Sequence, residues 1–156
     1  MALYLVRHAV AVGRSSWDGD DDRRPLTPKG ERQSKALVRL LGDVEVRRIW
    51  TSPAVRCVDS VRPLADTLHL EVRTTSALAE GHGVGKAMDL VGDLATKKGS
   101  SVLCTHGDLV PEILRRLARA GTSLESELQF AKGSTWELVV DDHHRIRTAH
   151  YHPPAE

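Results

Sequence analysis

Leu3-Tyr4-Leu5-Val6-Arg7-His8 is an apolar, β-prone run that stops abruptly at a guanidinium and an imidazole. Leu3 to Val6 reads as a short strand, and the two polar residues mark its end. A polar stretch from Gly13 to Arg24 follows, with Gly13, Ser15, Ser16, Gly19 and an acidic cluster from Asp18 to Asp22, and reads as a solvated surface loop. Thr27 offers an N-cap and Pro28 suits a first helical turn. The helix they start carries Ala36, Leu37, Leu40 and Leu41 on one face and ends near Gly42.

The same strand-to-helix step repeats along the chain. Val46 to Trp50 predicts a second strand broken by Ser52-Pro53, and Ala54 to Leu68 has helical apolar spacing at Val58, Val61, Leu64, Ala65 and Leu68. Glu71 to Thr74 is a weaker strand. A Gly-rich loop from Gly81 to Gly85 precedes a helix over Ala87 to Ala95. Ser101 to Cys104 predicts a compact strand, and Asp108 is expected to cap a helix through Val110, Ile113, Leu114 and Leu117 that stops at Gly121. Trp136 to Val140 and Ile146 to Ala149 read as closing strands joined at Asp141-Asp142. Strands separated by helices imply an α/β three-layer sandwich, with a mainly parallel central sheet flanked by helices on both faces. One domain is expected over residues 1–156, because a chain of this size with 40% hydrophobic residues builds one core and is too short for two ordinary ones.

The charge balance narrows the functional classes. Lys and Arg total 22 against 21 Asp and Glu, so there is no global basic field for nucleic acid or an anionic membrane, and any anion site has to be local. No apolar run approaches the ~18 residues of a membrane span, and the residues before Arg7 are too few for a signal peptide; a cytoplasmic location is expected. Cys57 and Cys104 are too few and too far apart for a disulfide framework or a Cys-x-x-Cys metal pair, and read as buried small apolar residues.

In open α/β sheets ligands bind beyond the carboxyl ends of the strands. Arg7 and His8 follow the first strand, Thr51-Ser52-Pro53 with Arg56 the second, Glu80 the third, and Thr105-His106-Gly107 the fourth. Such a set suits phosphoryl transfer. Guanidinium groups bind phosphate oxygens, a neutral imidazole can attack phosphorus, and a carboxylic acid can protonate the departing oxygen.

Leu5-Val6-Arg7-His8 resembles the Arg-His signature of the histidine phosphatase superfamily. Arg24-Pro25-Leu26-Thr27-Pro28-Lys29-Gly30 is similar to its Arg-x-Leu-Thr-x-x-Gly segment, Ser52-Pro53-Ala54-Val55-Arg56 to its Ser-Pro-x-x-Arg segment, and Thr105-His106-Gly107 to its second-histidine segment. All four stand in the family's order. The resemblance implies a phosphoglycerate mutase-like fold, His8 as the nucleophile, and a phosphate pocket of Arg7, Arg56 and His106, with no metal and no cofactor. The short length and the Arg-Pro-Leu-Thr wording are closer to the SixA-like phosphohistidine phosphatases than to the larger mutases. Lys132-Gly133-Ser134-Thr135-Trp136 is similar to the histidine phosphatase domain fused to Nudix domains in some bacteria, and no Nudix segment accompanies it here.

The chain also departs from the family. Ala9 stands where the family has Gly, adding a methyl where phosphate approaches backbone, and Ser60 stands where Thr is common. Glu80 sits where larger members place their acid, with His82 in the same loop as an alternative donor. Arg24 reads either as a phosphate ligand or as a partner of Asp20 to Asp22, and Ser52 either as a helix cap or as part of a substrate loop. The expected function is a metal-independent phosphatase with a phosphohistidine intermediate, acting on phosphohistidine protein or a small phosphorylated molecule. The alternatives are a nucleotide or polyphosphate phosphatase, and a non-catalytic phosphate-binding module for which Ala9 is the main support.

Other chemistries fail on the residues. Cysteine phosphatase chemistry needs Arg where Val110 and Pro63 stand, and a calcium loop needs Gly at Arg23 and Glu at Lys29. No Gly-x-x-x-x-Gly-Lys-Ser/Thr loop is present. His143, His144, His150 and His152 lie in a polar hairpin and tail and read as surface residues. The pattern does not set the oligomeric state.

Overall fold

Strand β1 (Ala2–Arg7) is buried on both faces, and its side chains alternate between two cores. Leu3 and Leu5 join helices α3 (Gly85–Ala95) and α4 (Leu109–Arg119) on one side. Ala2, Tyr4 and Val6 join α1 (Pro28–Leu41) and α2 (Val55–Leu68) on the other. The same split divides Leu103 from Val102 and Cys104 on β4 (Ser100–Thr105). Strand residues apolar toward both faces are what a sheet covered twice demands, so the three expected layers follow directly from this run.

The computed structural model describes residues 1–155. The sheet also contains β2 (Val46–Thr51), β3 (Val72–Thr74), β5 (Ser123–Leu124), β6 (Thr135–Val140) and β7 (Ile146–His152), in the order β3-β2-β4-β1-β6-β7-β5. The pairs β3/β2, β2/β4, β4/β1 and β5/β7 are parallel, while β1/β6 and β6/β7 are antiparallel. The sheet is therefore mixed but mainly parallel. Among the described residues no helix is long and apolar enough to cross a membrane.

Register carries the strand ends to one edge. Arg7 pairs with Thr105, Thr51 pairs with Cys104 and with Thr74, and Ser52 N donates to Cys104 O at 3.0 Å. The residues that follow, His8, His106 and Ser52, must then emerge side by side.

One expectation requires correction, and two features go beyond the sequence reading. The short strand β5 was not foreseen, because two residues carry no period. Asp108 does not cap α4 with its side chain: its own backbone is already helical (φ −79°, ψ −33°), and its Oδ2 instead accepts from Gly81 N at 2.9 Å. The stretch from Gly13 to Arg24 is largely exposed, as expected, but it is not featureless. It contains two 3₁₀ turns, Arg14–Ser16 and Asp21–Arg23, and is closed at its base by an Ala11–Leu26 bridge.

The start of α1 is pressed against the segment after β1. Thr27 Oγ1 accepts from Gly30 N at 3.1 Å, the expected cap, while Thr27 N and Oγ1 both donate to Val10 O. A Cβ at Gly30 would fall 2.0 Å from Val10 O. Gly30→Ala, which helix propensity alone favours by about 1 kcal/mol, is therefore expected to destabilise by about 2 kcal/mol. Urea denaturation reads this as a lowered midpoint; a raised midpoint would show that the contact relaxes freely.

Candidate active site

A cleft of about 400 Å³ opens at the shared strand edge, and its lining includes Arg7, His8, Arg56, Glu80 and His106. The structure thus brings together the five residues that sequence reading placed at the centre of the chemistry. Arg24 lines the cleft too, but its Nε donates to Asp21 Oδ1 (2.9 Å) and its Nη1 to Val12 O, so it is tied into the loop. Ser52 is 1% exposed and sits behind His106 rather than in a substrate loop. His82 is exposed and is not among the residues lining the cleft.

His8 is fixed through its backbone and its ring. His8 N donates to Thr105 O, and Gly133 N donates to both Arg7 O and His8 O. Ring Nδ1 is 2.8 Å from Ala9 O, and a carbonyl only accepts, so Nδ1 carries the proton and Nε2 keeps a free lone pair. Ala9 is fixed in turn, because Ser60 Oγ accepts from Ala9 N at 2.8 Å and donates to Arg56 O at 2.6 Å. Burial chiefly, together with the charges of His106, Arg56 and Arg7 and against the opposing Ala9 hydrogen bond, lowers the His8 pKa to about 3. The ring is neutral at ordinary pH.

Ala9 is not among the residues that line the cleft. Ala9 is 2% exposed and borders a small void with Gln33, Ser34 and Leu37 on the α1 side, not the cleft. The main support for a non-catalytic module is thereby removed.

The cations are prepositioned. Arg7 donates from Nη1 to Phe130 O at 2.7 Å and lies over the Phe130 ring at 5.4 Å, while its buried Nε has no partner among the described residues. Gly107 leaves room for it, since a Cβ there would lie 2.6 Å from Arg7 Nη2 and would displace the guanidinium. Arg56 is 1% exposed and donates to Asp21 O (2.9 Å), Asp21 Oδ2 (3.3 Å), Glu80 Oε2 (3.0 Å) and His106 Nδ1 (3.4 Å). Glu80 Oε1 also accepts from Arg14 Nη2 at 2.9 Å. Partial burial pushes the Asp21 carboxyl up, but the Arg24 hydrogen bond and the charges of Arg56, Arg24 and Arg14 outweigh it and hold the pKa below the usual carboxylate value. An anion entering here meets an unspent Arg7 donor and an Arg56 whose carboxylate partners it can replace.

Sequence reading assigned no role in the site to Asp21, Ser60, Gln33 and Arg14. Gln33 Oε1 accepts from Val10 N and its Nε2 donates to Lys132 O, tying the His8 loop to the segment before β6. Nothing local marks these residues; only the helical phase of Ser60, four positions after Arg56, offered a signal.

Comparison with known proteins identifies the family and the fold. Residues 3–90 match the family model described as histidine phosphatase superfamily (branch 1). The 8-oxo-(d)GTP phosphatase of Mycolicibacterium smegmatis is 31% identical over 159 residues, covering 99% of this chain. The chain belongs to the histidine phosphatase superfamily. It spans 49% of the length of that mycobacterial relative. The protein histidine phosphatase SixA, solved with tungstate, has the same fold, with a TM-score of 0.77 at 20% identity over 100% of this chain and 97% of that one. A mycobacterial glucosyl-3-phosphoglycerate phosphatase superposes with a TM-score of 0.68 at 16% identity, over 97% of this chain and 95% of that one.

A folded-state pKa below the unfolded value near 6.5 means that, as pH falls from 6.5 toward 3, the unfolded chain takes up a proton that folded His8 refuses. The stability held above pH 6.5 is lost across that window, on the order of 5 kcal/mol for a shift of this size. Acid is thus expected to unfold the protein before it protonates His8 in place. Two-bond ¹H–¹⁵N correlation spectra at pH 5 should show His8 as the neutral Nδ1–H tautomer; a midpoint near 6.5 in folded protein would overturn this.

Proposed function

We propose that this protein is a phosphatase working through a phosphorylated His8, with phosphohistidine protein or a small phosphorylated molecule as substrate. The observation that carries this reading is the neutral His8 ring, whose Nδ1–H is held by Ala9 O while Nε2 is left free beside Arg7, Arg56 and His106. The Nε2 lone pair attacks phosphorus and the bond to the leaving group breaks, with its electron pair departing on that group. Arg7, Arg56 and His106 hold the phosphoryl oxygens while charge shifts. Water then attacks the phosphohistidine, the P–N bond breaks back onto Nε2, and phosphate leaves. The arginines supply the positive charge, so no metal is assigned a role. One catalytic domain over 1–156 is part of this reading. A cytoplasmic setting fits the two buried cysteines, both free thiols.

A second reading, a nucleotide or polyphosphate phosphatase, is favoured by the 31% identity to the mycobacterial relative named above. Arg14 and Lys132 also line the cleft, which gives a longer anionic leaving group partners beyond Arg7 and Arg56. A turnover screen of phosphohistidine peptide, nucleotides and sugar phosphates separates the two.

Rapid quenching with substrate, in buffer containing a chelator, is expected to trap acid-labile phosphate on His8. His8→Ala should abolish both label and turnover. Label on a cysteine or an aspartate, or activity that returns only with a divalent ion, would sink the mechanism.

Glu80 is the proposed acid for poor leaving groups. Both of its oxygens accept from guanidinium groups in the free protein, and a phosphoryl group competing for Arg56 frees Oε2. Glu80→Gln is expected to slow alkyl phosphate hydrolysis by roughly 10²-fold and aryl phosphate hydrolysis much less. Equal, small effects on both would remove Glu80 from the mechanism.

A further inference from the structure

His106 is gripped from behind. Its Nε2 lies 2.8 Å from Ser52 Oγ and 3.5 Å from Cys57 Sγ, while Nδ1, on the other side of the ring, lies 3.4 Å from Arg56 Nη2. A guanidinium only donates, so in the free protein Nδ1 accepts and Nε2–H donates to Ser52 Oγ. His106, Ser52 and Cys57 are 2%, 1% and 0% exposed, so no bulk water competes for that inner edge. Ser52 Oγ also accepts from Ala54 N at 3.3 Å, which holds the hydroxyl where the chain turns into α2.

This resting tautomer is wrong for binding an oxyanion. A phosphoryl oxygen arriving beside Arg56 is itself an acceptor and would meet the lone pair of Nδ1, so the ring has to present Nδ1–H. Adding a proton would place a further cation beside Arg7 and Arg56 in a buried site; exchanging tautomers adds none. Exchange requires that the group facing Nε2 be able to switch from acceptor to donor. A hydroxyl does so by rotating, whereas a carbonyl or carboxylate would lock Nε2–H in place, and the Cys57 thiol is weak in both roles.

We propose that Ser52 is a positioning residue that sets the tautomer of His106. It accepts from Nε2–H in the free protein and donates to Nε2 once an oxyanion fills the cleft, so that a neutral His106 offers Nδ1–H to the anion. The net exchange removes one proton from Nε2 and adds one at Nδ1, so the ring's charge is unchanged. The assignment rests on the phosphatase reading for its purpose, but it is measurable without turnover.

Two-bond ¹H–¹⁵N correlation spectra of the wild-type chain, free and with tungstate, test it directly. The expected result is neutral Nε2–H in the free protein and neutral Nδ1–H with tungstate. In Ser52→Ala the tungstate-bound signature should be lost, and kcat on an aryl phosphate should fall about 10-fold with KM nearly unchanged. Ser52→Thr, which keeps the hydroxyl, should restore both. Retention of Nε2–H with tungstate, or a doubly protonated ring, in the wild-type protein overturns the assignment whatever the variants do. Tautomer exchange without turnover of phosphohistidine peptide, nucleotide, polyphosphate or any phosphate ester would instead sink the phosphatase reading and leave the role of Ser52 standing.

Discussion

A guanidinium buried to 1% exposure beneath a polar cleft is the constraint around which the rest of the site is arranged. Removing such a charge from water costs several kcal/mol unless it is paired and hydrogen-bonded. Arg56 meets that demand by drawing in Asp21 from the segment after β1, Glu80 from the segment after β3, and His106 from the end of β4. The pairing that makes the free protein stable is thus also what brings separate strand ends into one cleft. Because its partners include carboxylates, Arg56 is already held in a geometry that accepts oxygen anions.

The two histidines answer to opposite kinds of neighbour. His8 faces a backbone carbonyl through Nδ1, and a carbonyl can only accept, so its tautomer is locked with Nε2 free. His106 faces a hydroxyl through Nε2, and a hydroxyl can reverse its role. A ring that must always present a lone pair is fixed, and one that must change what it presents is not. Both arrangements trace to the start of α2. Ser52 lies just before it, and Ser60, within it, joins the Arg56 carbonyl to the Ala9 amide and so to His8.

Most of the fold was legible because burial on both faces writes continuous apolar runs, as at Leu3–Val6 and Ser101–Cys104, and because helices announce their starts, as at Thr27-Pro28. The failures are equally physical. β5 is too short to have a period. Asp108 looked like a cap because its type suits one, yet its own helical backbone and the nearness of Gly81 redirect its side chain. The acidic run is largely solvated, but its four aspartates carry no sign of which one pairs with Arg24 and Arg56, and it is Asp21 that does.

The sequence by itself determined the strand-helix alternation, the family, and the identity of the groups at the strand ends, since each of these is encoded within a few consecutive residues. It also named His8, Arg7, Arg56, His106 and Glu80, which the fold then brings to one cleft. Only the tertiary structure decided that Ala9 is buried outside the cleft lining, that Ser52 backs His106, and that burial more than neighbouring charge keeps His8 neutral. These are properties of direction and enclosure. They depend on which segments meet across the sheet, and no spacing along a single strand or helix contains that information.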